Sequence, residues 1–148
     1  ARIADVFYIG GTKVGAMFGE AVVFTHGNMP KNFVTLVKQH GALLAKGWLL
    51  GVQFDTLFTD DLYCRIARHA NDAADRIREV LVERGYTLTF DAPTNQIFIT
   101  LDNATSERLQ RNVRLGFMEK ADDTHTVMRI CTSWATTDEQ VEQLIALL

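Results

Sequence analysis

A glycine-rich loop between two apolar runs constrains the fold of this chain more than any other stretch. The runs at residues 6–9 and 21–24 are rich in Val, Ile, Phe and Tyr and are bounded by glycine, so both are predicted to be buried strands. The loop holds Lys13 and four glycines, at positions 10, 11, 15 and 19. Glycine lets the backbone turn sharply and lets a ligand approach it closely. The pattern predicts a tight strand–loop–strand unit that carries a single lysine.

Two interpretations of Lys13 follow from the residues alone. An amine held between buried strands is desolvated, which lowers its pKa and makes it a candidate nucleophile. A lysine on a turn can equally well be a solvated side chain, because lysine is rarely fully buried. The local pattern leaves both interpretations open.

The segment Asp-Val-Phe-Tyr-Ile-Gly-Gly-Thr-Lys, ending at Lys13, resembles the lysine segment of the threonine aldolase and β-eliminating lyase family. The resemblance continues through residues 19–24, 38–47 and 129–137, so it spans nearly the whole chain. Members of this family use pyridoxal phosphate on the fold of aspartate aminotransferase. The resemblance implies an α/β fold, with residues 1–58 ending the large domain of a fold type I enzyme and residues 59–148 forming the small C-terminal domain.

The same resemblance assigns roles to individual residues. It implies that Lys13 carries pyridoxal phosphate as a Schiff base and that Thr12 and Lys38 also bind the cofactor. Lys38 lies in a basic turn that the family brings toward the phosphate, apparently from across a dimer interface. A lysine acts there as a point charge without fork geometry.

Arg129 is the candidate for binding a substrate carboxylate. An alternating strand over residues 127–131 places it on one face with Val127 and Cys131. An arginine in that setting is costly without an anionic partner, and its planar fork suits a carboxylate. From the residues alone a structural salt bridge is the alternative. The resemblance favours the substrate role, because the family has its carboxylate-binding arginine in a matching Arg-x-x-Thr strand.

Residues 31–58 carry apolar side chains at helical spacing, interrupted by Gly41 and Gly47, which predicts two helical pieces or one bent helix. Small residues at positions 41, 42, 45, 47 and 51 leave room for another backbone, either at a subunit interface or within the chain. A long amphipathic helix is predicted to start at residues 59–61 and to end at Gly85. Its polar face, together with Tyr63 and His69, is predicted to be surface without a functional role.

The remainder of the chain predicts a small α/β layer. Alternation and turn residues indicate strands at residues 86–90, 96–101 and 127–131, with another beginning near Phe117. A short helix is predicted from Asn103. Residues 136–140 form a capping-box pattern that opens the last helix.

Composition excludes several classes of function. A formal net charge of −3 gives no electrostatic case for nucleic acid, and no apolar run approaches the ~18 residues that span a bilayer. The two cysteines, Cys64 and Cys131, lack metal or redox spacing. Reduced thiols in a cytoplasmic protein are the simplest interpretation, with a disulfide as the alternative. No metal site is expected.

The leading functional hypothesis is a pyridoxal-phosphate lyase that cleaves a small L-amino acid, with threonine aldolase chemistry first. The alternatives are β-elimination of the tyrosine phenol-lyase kind, aminotransfer, and a non-catalytic α/β interaction domain. The resemblance implies a dimer or tetramer. The chain lacks an initiator methionine and a leading loop, so we expect it to be a fragment whose missing N-terminal half holds other cofactor contacts.

Overall fold

The computed structural model describes residues 2–148, and the chain divides after Arg65 into two compact units. The first unit contains a two-stranded hairpin followed by two helices. Its elements are β1 (Val6–Gly10), β2 (Glu20–Phe24), α1 (Phe33–Gln39) and α2 (Trp48–Phe58). The long helix α3 (Leu62–Glu83) begins before the division and continues into the second unit.

The hairpin is antiparallel, and its burial differs from the sequence prediction. Tyr8 lies opposite Val22, and both point to a face on which they are 69% and 52% exposed. Successive side chains alternate between the two faces of a strand, and this sheet has only two strands. One face is therefore left uncovered, and the prediction that both strands are buried is wrong for this chain.

The two helical pieces predicted for residues 31–58 are separate helices. Gly41 lies just beyond α1 with φ of 69°, a left-handed conformation in which glycine commonly ends a helix. Helix α2 is mostly apolar, with Gln53, Asp55 and Thr56 as its polar residues. It buries Phe54 and Leu57, while Trp48 and Val52 are 63% and 53% exposed.

The start of α3 is shifted from its prediction. Residues Thr59–Asp61 form a 3-10 turn, and Asp60 and Asp61 have φ values of 50° and 55°. This left-handed backbone interrupts the helical path, so α3 begins at Leu62. The predicted end is confirmed, because Gly85 follows the helix with φ of 79°.

The second unit is a four-stranded antiparallel sheet packed against helices. The strands occur in the order β3-β4-β6-β5. Their bounds are β3 (Thr87–Leu88), β4 (Gln96–Asp102), β5 (Gly116–Lys120) and β6 (His125–Cys131), with helices α4 (Asn103–Gln110) and α5 (Asp138–Leu147). The mixture of helix and sheet confirms the predicted α/β class.

The core of the second unit lies between one face of the sheet and the helices α3, α4 and α5. It is built from Ala73, Ala74, Ile77, Leu81, Ile97, Ile99, Leu101, Leu109, Leu115, Met128, Ile130, Val141 and Leu144. Strand alternation places Gln96, Phe98 and Arg129 on the opposite face of the sheet. The sheet therefore separates the hydrophobic core from the side that carries the candidate arginine.

The predicted capping box of α5 is confirmed. The Thr137 hydroxyl accepts the Gln140 amide N–H at 3.2 Å, and Gln140 Oε1 accepts the Thr137 amide N–H at 3.0 Å. At α4, Asp102 caps the helix by accepting the Thr105 amide at 2.9 Å. That hydrogen bond is the main reason why the pKa of Asp102 is lowered.

Both cysteines are free thiols. Within residues 2–148, no helix is long and apolar enough to cross a membrane. The same part of the chain has no group of three or more His, Cys, Asp or Glu side chains placed to hold a metal ion.

Candidate functional site

Lys13 lies in a tight turn between β1 and β2. Residues Thr12–Val14 form a 3-10 turn, closed where the Gly11 carbonyl accepts the amides of Val14 and Ala16, both at 3.0 Å. The side chains of Thr12 and Lys13 are exposed. The residues of this chain therefore present the amine rather than bury it, in agreement with the solvated interpretation of Lys13.

The backbone below this turn is closely packed. Gly11 is buried, and a Cβ at this position would lie 2.6 Å from the Ala16 Cβ and 3.0 Å from the ring of Phe54 on α2. Such distances exclude a larger residue without a shift of its neighbours. Glycine is required here for close packing, which brings the turn that carries Lys13 against α2.

Hydrogen bonds fix the backbone on both sides of the turn. The Tyr63 hydroxyl donates to the Gly10 carbonyl at 2.8 Å. Gln53 accepts the Met17 amide at 2.7 Å through Oε1 and donates to the Phe18 carbonyl at 3.3 Å through Nε2. Tyr63 is half-buried rather than fully on the surface, and its hydroxyl contacts the loop. Local periodicity has no signal for a contact between residues this far apart in the chain.

The surroundings of Lys13 leave its amine free. In residues 2–65, no carboxylate forms an ion pair with it. Lys38 is exposed in the last turn of α1, and its side chain makes no hydrogen bond or ion pair to the Lys13 turn within that range. The structure thus brings Thr12 and Lys13 together, whereas Lys38 is not joined to them by a described contact.

Arg129 lies in β6, in the second unit, directly opposite Phe98 on β4 and Gly116 on β5. Its Nη1 donates to Oε1 of Gln96 at 3.3 Å. Its Nε is buried and has no hydrogen-bond partner among the described residues. A buried N–H without an acceptor is rare in folded proteins and calls for a specific explanation.

This geometry suits an incoming carboxylate. Because Gln96 contacts only Nη1, the half-buried guanidinium of Arg129 keeps donor groups without a described partner. No carboxylate of residues 66–148 forms an ion pair with Arg129, so the structural salt bridge considered from the sequence is not found in this unit. The sequence alone did not point to Gln96, since it comes next to Arg129 only through the pairing of β4 with β6.

The threonine of the Arg-x-x-Thr segment has a structural role. Thr132 is 2% exposed, and its hydroxyl donates to the Ala70 carbonyl of α3 at 2.6 Å. The side-chain amide of Asn95 donates to the Thr132 carbonyl at 2.7 Å. These bonds fix the end of β6 to α3 and to the start of β4.

A separate cavity of about 600 Å³ in the second unit contains none of the predicted site residues. Its lining includes Asp122 and His125, whose side chains approach to 3.2 Å. Hydrogen bonds, first of all from the Thr124 hydroxyl, lower the pKa of Asp122 to about 2. Its carboxylate therefore stays ionised at neutral pH.

Solved structures of known enzymes share this fold. Serine palmitoyltransferase of Sphingomonas wittichii matches with a TM-score of 0.64 at 19% identity, over 97% of this chain and 38% of that one. An SPT structure with a PLP internal aldimine matches with a TM-score of 0.65 at 13% identity, again over 97% and 38%. No protein-family model matches the chain. The fold is that of the fold type I pyridoxal-phosphate enzymes, as the sequence predicted.

Within this class, the chain is a relative of the threonine aldolases. The Leishmania major threonine aldolase structure matches with a TM-score of 0.92 at 38% identity, over 99% of this chain and 43% of that one. The low specificity L-threonine aldolase of Pseudomonas aeruginosa is 30% identical over 141 residues, which is 95% of this chain. The resemblance seen in the sequence is confirmed. The chain spans about 40% of the length of this curated relative.

Proposed function

We propose that this chain is part of a pyridoxal-phosphate-dependent lyase that cleaves the Cα–Cβ bond of a small L-amino acid, giving glycine and an aldehyde. The observation that carries the proposal is the match to the Leishmania major threonine aldolase, which combines 38% identity with a TM-score of 0.92 over 99% of the chain. The Pseudomonas aeruginosa relative supports it by name, as a low specificity L-threonine aldolase.

The residues present fit the cofactor. Lys13 is exposed and has no ion-pair partner in residues 2–65, so its amine is accessible to an aldehyde. Thr12 lies next to it in the turn and Lys38 supplies positive charge for the phosphate. When bound, pyridoxal phosphate supplies an electron sink for the bond that breaks at Cα.

Two side chains of this chain then handle the substrate. Arg129 binds the α-carboxylate through its guanidinium and so orients the amino acid. The amine of Lys13, when not linked to the cofactor, would be available to accept or deliver a proton.

The decisive test is Lys13→Ala in the full gene product, meaning residues 1–148 with any sequence that the gene encodes around them. The wild type is expected to show a visible absorbance band with pyridoxal phosphate and a borohydride-trapped mass increase on Lys13. The variant is expected to lose both, because no amine remains at that position. Lys31→Ala, which removes another exposed lysine of the same unit, is the matched control and should keep both signals.

A covalent adduct that persists in Lys13→Ala would refute the assignment of Lys13. Product analysis separates the alternatives, since aldol cleavage of threonine yields glycine, whereas β-elimination and aminotransfer do not. If the wild type shows no visible absorbance band with pyridoxal phosphate, that result would favour the non-catalytic α/β domain.

The assembly is part of the proposal. Large apolar side chains on a helix are expected to be covered, yet Trp48 and Val52 of α2 are more than half exposed. We assign this face to a second copy of the chain in a dimer or tetramer. Gly41 and Gly51 fit this assignment, because a Cβ added at either position would meet nothing within 4 Å.

The remaining proposals concern organisation and location. Because the chain spans about 40% of its curated relative, we assign the other cofactor contacts to a segment equivalent to the rest of a threonine aldolase. Residues 1–58 are assigned to the cofactor-binding domain and residues 59–148 to the small domain. The two free thiols support a cytoplasmic location.

A further inference from the structure

The backbone that carries Lys13 is fixed by side chains that no comparison assigns to the site. Three hydrogen bonds reach it, and each comes from a side chain far away in the chain. One is from Tyr63 to the Gly10 carbonyl, 53 residues away, and the other two join Gln53 to Met17 and Phe18. Together they hold the loop just before and just after the 3-10 turn.

The polar groups of both side chains contact the backbone of the loop. The side-chain amide of Gln53 pairs with the amide of Met17 and the carbonyl of Phe18, as the backbone of a neighbouring strand would. The ring of Tyr63 already packs against Phe58, with centroids 5.7 Å apart. Its hydroxyl adds only the bond to Gly10, the residue at which β1 ends and the turn begins.

The packing around the turn supports the same interpretation. Gly11 is in close contact with Ala16 and Phe54, so the turn cannot shift toward α2. The carbonyl of Gly10 is held on one side and residues 17–18 on the other, with the exposed Lys13 side chain between them. A reaction at Nζ benefits from such preorganisation, because less ordering is needed when the amine meets an aldehyde.

We propose that Tyr63 and Gln53 are positioning residues for Lys13, fixing the loop backbone so that Nζ meets the cofactor aldehyde from a defined direction. The inference rests on the proposed function and deepens it.

The experiment uses the full gene product prepared without cofactor, as wild type, Tyr63→Phe and Gln53→Leu. The rate of covalent attachment of pyridoxal phosphate is followed by visible absorbance and by borohydride trapping on the Lys13 peptide. Each variant is expected to attach the cofactor about three- to tenfold more slowly, the effect of losing one or two hydrogen bonds. Before any cofactor is added, hydrogen exchange of residues 11–19 is expected to rise by a similar factor.

Tyr86→Phe is the matched control. Tyr86 donates its hydroxyl hydrogen bond to the Leu148 carbonyl at 2.7 Å, within the second unit, so the same chemical change is made away from the Lys13 loop. This variant is expected to keep both the attachment rate and the exchange of residues 11–19 within twofold of wild type. Gln53→Asn, which keeps the amide on a shorter side chain, is expected to recover part of the rate lost in Gln53→Leu.

The outcomes separate the two proposals. If the wild type attaches the cofactor at Lys13 and both variants do so at the wild-type rate, the positioning role is refuted while the proposed function stands. Variants that melt at a lower temperature but attach the cofactor normally also refute the positioning role, since the bonds are then only structural. If the wild type attaches no cofactor at Lys13, the proposed function fails and the positioning role falls with it.

Discussion

At the scale of single residues, Arg129 has a guanidinium whose hydrogen-bond donors are only partly used within the fold. Its guanidinium is held at one end by Gln96, while its Nε lies buried without an acceptor among the described residues. An arginine kept for structure would use a nearby carboxylate, and none pairs with it in its unit. The unused hydrogen-bond donors of this guanidinium support a carboxylate-binding role.

Arg129→Lys in the full gene product tests that role. Lysine keeps the positive charge but loses the planar fork, so the KM for the amino acid is expected to rise by about ten- to a hundredfold. The value of kcat should fall less than kcat/KM, because the carboxylate contact contributes mainly to binding and orientation. Steady-state kinetics with threonine measures both.

Arg114→Lys provides the comparison for that experiment, because Arg114 is an exposed arginine of the same unit. Its kinetics should match the wild type. An Arg129→Lys enzyme with unchanged KM would show that the guanidinium does not contact the substrate.

At the scale of helices and strands, local patterns account for the elements whose signals lie within a few residues. The capping box at Thr137 and the helix-ending Gly85 are both found where the sequence places them. The start of α3 is not, because Asp residues favour both a helix N-terminus and a left-handed turn, and here Asp60 and Asp61 adopt the turn.

Thr137→Ala gives a prediction for α5. Loss of the cap leaves the Gln140 amide without its hydroxyl acceptor, so the free energy of unfolding should fall by about 1 kcal/mol. Urea denaturation followed by circular dichroism measures the change. Thr137→Ser retains a hydroxyl and should remain within a few tenths of a kcal/mol of wild type; equal losses in both variants would contradict the capping role.

The candidate site shows where prediction from sequence ends. Lys13 and Arg129 were found because each occurs in a segment that resembles a known family. Gln96 and Tyr63 were missed, because they reach their partners across separations of 33 and 53 residues through strand pairing and helix packing. The predicted burial of the two hairpin strands was wrong for a similar reason. An apolar run does not reveal whether other elements cover one face of a strand or both.

At the scale of the whole molecule, the apolar outer face of α2 is the feature to explain. Trp48→Glu places a charge on that face, and the full gene product is expected to dissociate to a smaller species in sedimentation velocity. Trp134→Glu changes the other tryptophan, which is 52% exposed in the second unit, and should leave the sedimentation coefficient as in wild type. Equal sedimentation of Trp48→Glu and wild type would contradict the assignment of this face.

The unsatisfied Nε of Arg129 has a consequence for the energetics of the native state. An N–H without an acceptor destabilises the ligand-free fold, and a molecule that supplies the acceptor binds the native chain but not the unfolded one. If Arg129 binds a carboxylate as proposed, that carboxylate should raise the midpoint of urea denaturation of the full gene product.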